Sequence, residues 1–119
     1  MTTPRLERYE DLSSEYLRRA RAYLSEGDLT QASEKGWGAA AVSVKAVATT
    51  RGLNHASHYQ LRQVVQELAR EADDDEMRTY FGNANDLHMN FYEGWLDNET
   101  VALYLAHVER FIEKLNALS

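Results

Sequence analysis

Four histidines, at positions 55, 58, 88 and 107, are the side chains of this sequence that titrate nearest neutral pH. His88 lies on an apolar stripe, one turn from Ala84 and Phe91. An imidazole in that setting needs a partner for each ring nitrogen, or it serves as a general acid–base group or ligand contact. Asn90, Tyr92 and Glu93 follow closely and supply polar company. His55 and His58 are three residues apart, but only Ser57-His58 reads as a helix start, which leaves His55 in a connecting loop. With no third ligand at a matching spacing, and no HExxH pattern, the histidines imply no metal site. His107 stands beside the apolar seam of the last helix, as a partly exposed residue. The acidic run Asp73-Asp74-Asp75-Glu76 lacks EF-hand spacing. It reads as a solvated loop whose charges complement the N-terminal dipole of the next helix.

A second group of polar side chains interrupts an otherwise small and apolar segment. From Gly36 the chain reads Gly-Trp-Gly-Ala-Ala-Ala-Val-Ser-Val-Lys-Ala-Val-Ala, preceded by Glu34 and Lys35. Lys45, between Val44 and Ala46, either snorkels outward or marks a polar pocket. Eleven residues separate Glu34 from Lys45, so three turns of helix put them on one face without contact. Each glycine inside a helix costs about 1 kcal/mol relative to alanine. Gly36 and Gly38 therefore predict close helix packing beside Trp37, and this is the expected central helix.

These residues need helices to position them, and the chain reads as helices throughout. Thr3 caps a first helix with Pro4 in its first turn, and Leu6, Tyr9, Leu12, Tyr16, Leu17, Ala20, Tyr23 and Leu24 give its stripe. Gly27 ends it; Asp28 caps a second helix that Gly52 stops near Arg51. Ser57 and Gln60 form a capping box for a third helix with the stripe Leu61, Val64, Val65, Leu68 and Ala69. A fourth carries Met77, Tyr80, Phe81, Ala84, Leu87, His88, Phe91 and Trp95, with Gly94 near its end. Asn98 caps a fifth, with Val101, Leu105, Val108, Ile112 and Leu115 along one seam. No segment alternates as a strand does, and no 34-residue repeat recurs. The expectation is an all-α fold, an antiparallel bundle of four long helices plus one with short connections, over a single domain spanning 1–119.

Composition narrows the functional classes. The 119 residues contain no cysteine, which removes disulfide scaffolds, thiolate chemistry and iron–sulfur clusters. No run of 18 apolar residues predicts a membrane span, and the N-terminal segment lacks the apolar core of a secretory signal. A cytoplasmic location is the expectation. A formal charge of −6 argues against binding nucleic acid through bulk charge, though not through a local basic groove. Twelve aromatic residues are many for one small core, and an apolar patch left on the fourth or fifth helix favours a two-fold dimer.

The run Gly27-Asp28 through Gln31-Ala32-Ser33-Glu34-Lys35-Gly36-Trp37-Gly38-Ala39-Ala40 resembles the second-helix signature of the archaeal-type PaREP family, within the HEPN helical superfamily. Leu87-His88-Met89-Asn90-Phe91-Tyr92-Glu93 is similar to that family's other signature, and Ser57-His58 also fits. The resemblance implies a HEPN-like bundle that dimerises and a superfamily tied to nucleotides and RNA. Catalytic HEPN members are metal-independent ribonucleases that use an arginine and a histidine with four to six residues between them at a dimer interface. Here the arginine position before His88 holds Asn83, and Arg78 lies ten residues away. Arg51 and His58 match the spacing, with Gly52 after the arginine.

The functional expectation is therefore a non-catalytic nucleotide- or RNA-binding or protein-interaction module, dimeric and without a cofactor. Its ligand contacts would be Glu34, Lys35, Trp37, Lys45, Asn90 and Tyr92, joined by the two histidines His58 and His88. A nucleotidyltransferase is the partner protein the resemblance implies. The alternative is a metal-independent endoribonuclease with His88, His58 and Arg51 as its catalytic residues.

Overall fold

The structure, a computed structural model, describes residues 4–118, and every regular element among them is helical: α1 (Pro4–Glu26), α2 (Leu29–Arg51), α3 (His58–Ala72), α4 (Asp75–Glu93) and α5 (Asn98–Ala117). Thr3, expected as the first cap, lies outside the described residues. The remaining boundaries follow local chemistry. Asp28 accepts the Gln31 N–H at the start of α2, and Gly52 closes that helix in the left-handed conformation at φ 67°. Ser57 accepts the Gln60 N–H at the start of α3. The return bond of the capping box is displaced by one residue, because the Gln60 side chain accepts from the Ala56 N–H.

Two boundaries differ from the sequence expectation. The cap of α5 is Asp97, whose carboxylate accepts the Thr100 N–H; Asn98 is the first helical residue. Helix α4 stops at Glu93, with Gly94 left-handed behind it, so Trp95 is not on the α4 stripe and is exposed instead. The acidic run has a structural use. Asp73 closes α3 in the left-handed region, and Asp74 caps α4 while pairing with Lys114 of α5 at 2.7 Å. Among the described residues no group of His, Asp and Glu side chains is arranged to hold a metal ion.

Helix α2 is the centre of the bundle and touches each of the other four helices. Twelve of its residues are buried, most of them Gly, Ala, Ser or Val, and small side chains let neighbours come close. A Cβ built on Gly36 would stand 2.5 Å from Leu105 Cδ2 and 3.0 Å from Leu87 Cδ1; one on Gly38 would stand 3.0 Å from Tyr16 Cδ2. The two glycines thus admit α4 and α5 on one side and α1 on the other.

Helix directions follow from residue pairs. Helix α1 runs antiparallel to α2, with Ser13 beside Ser43 and Tyr16 over Gly38. Helix α4 runs antiparallel to α2, with Asn90 on Ser33. It is also antiparallel to α3 and α5. Helix α3 runs in the same sense as α2: its first residue, His58, stacks on Trp37, while Glu71 near its end pairs with Arg51. The 52–57 connection is therefore a return along α2 and not a tight hairpin. That return carries the start of α3 back to the middle of the bundle.

Candidate functional site

Three helices bring Glu34, Trp37, His58, His88 and Tyr92 together, with Phe81 in support. Trp37 of α2 is almost fully buried and forms the floor. The His58 ring of α3 stacks on it at 4.8 Å between centroids and 24° between planes; the His88 ring of α4 stacks at 5.0 Å and 29°. Rings on opposite faces of the indole would lie about 10 Å apart, whereas the two imidazole centroids are 6.1 Å apart. Both histidines therefore sit on the same side of Trp37, next to each other. Phe81 supports the indole from α4 at 5.8 Å. Tyr92, one turn beyond His88, meets its ring edge-on at 5.6 Å and is 70% exposed.

Glu34 completes the group. Its Oε2 lies 3.5 Å from His88 Nδ1. That separation is longer than an ordinary N–H···O bond, and neither of these two buried atoms has a hydrogen-bond partner. Buried polar atoms are nearly always paired, so an unpaired facing couple is an informative exception. A small rotation of either side chain would close the bond and fix which His88 nitrogen carries a proton. Functional hydrogen bonds are often loose before a ligand arrives.

His58 is the more exposed imidazole, yet its pKa is held below the ordinary histidine value. Partial burial against Trp37 is the main cause; the positive charges of Arg62, one turn further along α3, and of His88 add to it. A lowered pKa leaves His58 neutral at pH 7, with a lone pair to accept a proton. Two neighbouring imidazoles, one facing a carboxylate and one kept neutral, could stack a planar ligand or exchange protons with it.

The other residues singled out in the sequence are placed elsewhere. Asn90 is completely buried: its Nδ2 donates to Ser33 Oγ at 2.9 Å, and its Oδ1 accepts the Leu96 N–H at 2.8 Å. It ties the α4–α5 connection to α2 and offers no surface to a ligand. Lys35 lies over the Tyr16 ring at 5.1 Å, on the α1 side of α2. Lys45 lines a separate groove with Arg5 and His55. Arg51 pairs with Glu71 and donates to the Leu118 carbonyl. Its 14-residue separation from Trp37 along α2 corresponds to about 21 Å of helix rise. Within one chain the arginine spaced correctly before His58 is thus not brought to it. His107 bonds Asn83 through Nδ1 at 2.7 Å and stacks on Tyr80. Arg62 was not foreseen as a neighbour of the site; its position four residues after His58 was the available signal.

Comparison with known proteins agrees with this architecture. The model of the archaeal PaREP1/PaREP8 family matches residues 8–112, which include all five residues of the site. A protein from Sulfolobus solfataricus, known from its crystal structure, has the same fold, with a TM-score of 0.77 and 24% sequence identity over 91% of this chain and 97% of that one. No curated protein matches the sequence. With nearly its whole helical core inside the match, the chain belongs to the archaeal PaREP1/PaREP8 family.

Proposed function

We propose that the chain is a HEPN-like helical module that binds nucleotide or RNA bases through the face built from Glu34, His58, His88 and Tyr92 above Trp37. The observation that carries this reading is the pair of imidazoles lying side by side on one indole, with an exposed tyrosine at its edge. Planar rings presented together suit stacking on a nucleobase, and Glu34 offers a carboxylate for a base N–H. Stacking tolerates any base because each has a π-face. The module works in the cytoplasm as a homodimer, and a nucleotidyltransferase is its protein partner by family analogy. Of five large apolar side chains exposed among the described residues, four (Tyr59, Met89, Tyr92 and Trp95) lie at the start of α3, the end of α4 and the connection that follows it. Such a concentration suits a surface covered by a second copy.

Calorimetry with mononucleotides and with short single-stranded RNA tests the reading. Tyr92→Ala is expected to weaken binding by about 1–3 kcal/mol, the usual worth of one stacked base. No heat with any nucleotide or RNA, together with no co-purifying protein, would overturn it.

A second reading, metal-independent RNA cleavage, is favoured by the neutral His58 next to the carboxylate-facing His88. His58 would take the proton of a ribose 2′-hydroxyl as that oxygen attacks the phosphorus. His88, protonated, would give a proton to the leaving 5′-oxygen, and the product would be a 2′,3′-cyclic phosphate. Arg51 takes no part in this version within one chain. Cleavage that persists in excess EDTA and disappears in both His58→Ala and His88→Ala is the expected result; cleavage unchanged in either variant excludes it.

A further inference from the structure

A groove of about 620 Å³ lies between the start of α1, the middle of α2, the 52–57 return and the first turn of α3. Of its polar side chains Arg5 and Lys45 are donors only, while Tyr9, Asn54, His55 and Gln60 can each donate and accept. Arg5 and Lys45 supply two positive charges, and among the described residues no carboxylate lines the groove. Of the other eleven basic residues, six (Arg18, Arg19, Arg21, Arg51, Arg78 and Lys114) are each paired with an Asp or Glu, and Arg8, Lys35, Arg62, Arg70 and Arg110 are not, among the described residues. Arg5 and Lys45 have no acidic partner among the described residues. The Gln60 carbonyl is already occupied by the Ala56 N–H at 2.7 Å, so its NH2 group is the end left to donate. The Tyr9 hydroxyl adds a further donor on the α1 wall. Two unpaired cations among groups that can donate, in a chain of net charge −6, make a local inversion of the protein's own field.

The groove is close to the imidazole pair. His55, on its wall, is three residues before His58, so their Cα atoms are at most about 11 Å apart. Along an extended polyanion the two places can be occupied together. We infer that this groove is a phosphate subsite, in which Arg5 and Lys45 hold the backbone of the same RNA whose bases stack on His58 and His88. This inference rests on the RNA-binding reading of the histidine face. It adds what that face lacks, a place for the negative charge of the strand. Charge-assisted contacts from Lys and Arg give affinity without base preference, and they register as salt dependence.

The test has two arms, both on the full chain. In the first, pyrophosphate is titrated into 15N-labelled protein. Shifts are expected at the amides of Lys45 and of residues 53–56, and are expected to vanish in Arg5→Gln/Lys45→Gln. Absence of these shifts in the wild type overturns the subsite. In the second, affinity for a short single-stranded RNA is measured between 50 and 200 mM NaCl. Each lost phosphate contact lowers the salt slope by about 0.7, so the double variant should lose roughly seven-fold less affinity than wild type over that range. RNA binding with an unchanged slope overturns the inference and leaves the histidine face standing. Pyrophosphate shifts without any RNA binding overturn both the RNA reading and this use of the groove, and reduce it to a site for small oxyanions. Correct folding of the variant is checked by its far-UV circular dichroism, since both side chains are on the surface of the groove.

Discussion

Burial against Trp37 lowers the pKa of His58, and that shift must appear in the protein's stability. Above the ordinary value of about 6.5, the ring is neutral in both folded and unfolded chains. Below it the unfolded chain takes up the proton more readily than the folded one. Stability should therefore fall as pH drops from about 6.5 toward the lowered folded value, and His58→Gln should flatten that part of a denaturation series. An unchanged slope in the variant would show that the imidazole is not held neutral. Asn90 makes the opposite kind of prediction. Its amide has no access to solvent, and removing it leaves the Leu96 N–H without its partner and takes one of two bonds from Ser33 Oγ, which still donates to the Leu29 carbonyl. Asn90→Ala should cost about 2–4 kcal/mol of unfolding free energy while leaving ligand affinity per folded molecule unchanged. A sequence shows that Asn90 is polar beside an aromatic run, but not whether its neighbours across the bundle satisfy it. Lys35 and Lys45 were obscure for a related reason. Both are on α2, but each residue turns about 100° around the axis, and only the packed partners show which way a given turn faces.

At the scale of the helices, starts and stops were mostly legible because capping is local. Asp28, Gly52, Ser57 and Gly94 act where their types suggested, and Asp97 displaced Asn98 by one position because either side chain can accept the first free N–H groups. The close packing foreseen at Gly36 and Gly38 was legible too, since glycine inside a helix needs a reason. Two glycines now separate that reason from mere tolerance. At Gly36 an added methyl meets Leu105 and Leu87, both confined to the core. Gly36→Ala should lower stability by about 1 kcal/mol, overpacking outweighing the gain in helix propensity. At Gly82 nothing lies within 4 Å of the new methyl, and the substitution should stabilise by about 0.5–1 kcal/mol. Thermal unfolding of the two variants should move in opposite directions. The same direction for both would mean that the approach of α4 and α5 to α2 is looser than described.

For the whole molecule, apolar periodicity identified the bundle but not the direction of α3. A stripe at Leu61, Val64, Val65, Leu68 and Ala69 fits against its neighbours equally well with α3 running up or down. The 52–57 return decides it, and with it the meeting of His58 and Trp37. Helix α3 also makes fewer alliances than α2, packing among the described helices on α2 and α4 alone. Elements with few buried partners open before the global transition. Each time α3 lifts away, His58 leaves its place beside His88 and the platform ceases to exist. Amide hydrogen exchange should show α3 protected less than α2, and a ligand spanning both imidazoles should slow exchange along α3 as it binds. The lifetime of the site is then the lifetime of one docked helix, so occupancy of the site and the folding of α3 are a single equilibrium.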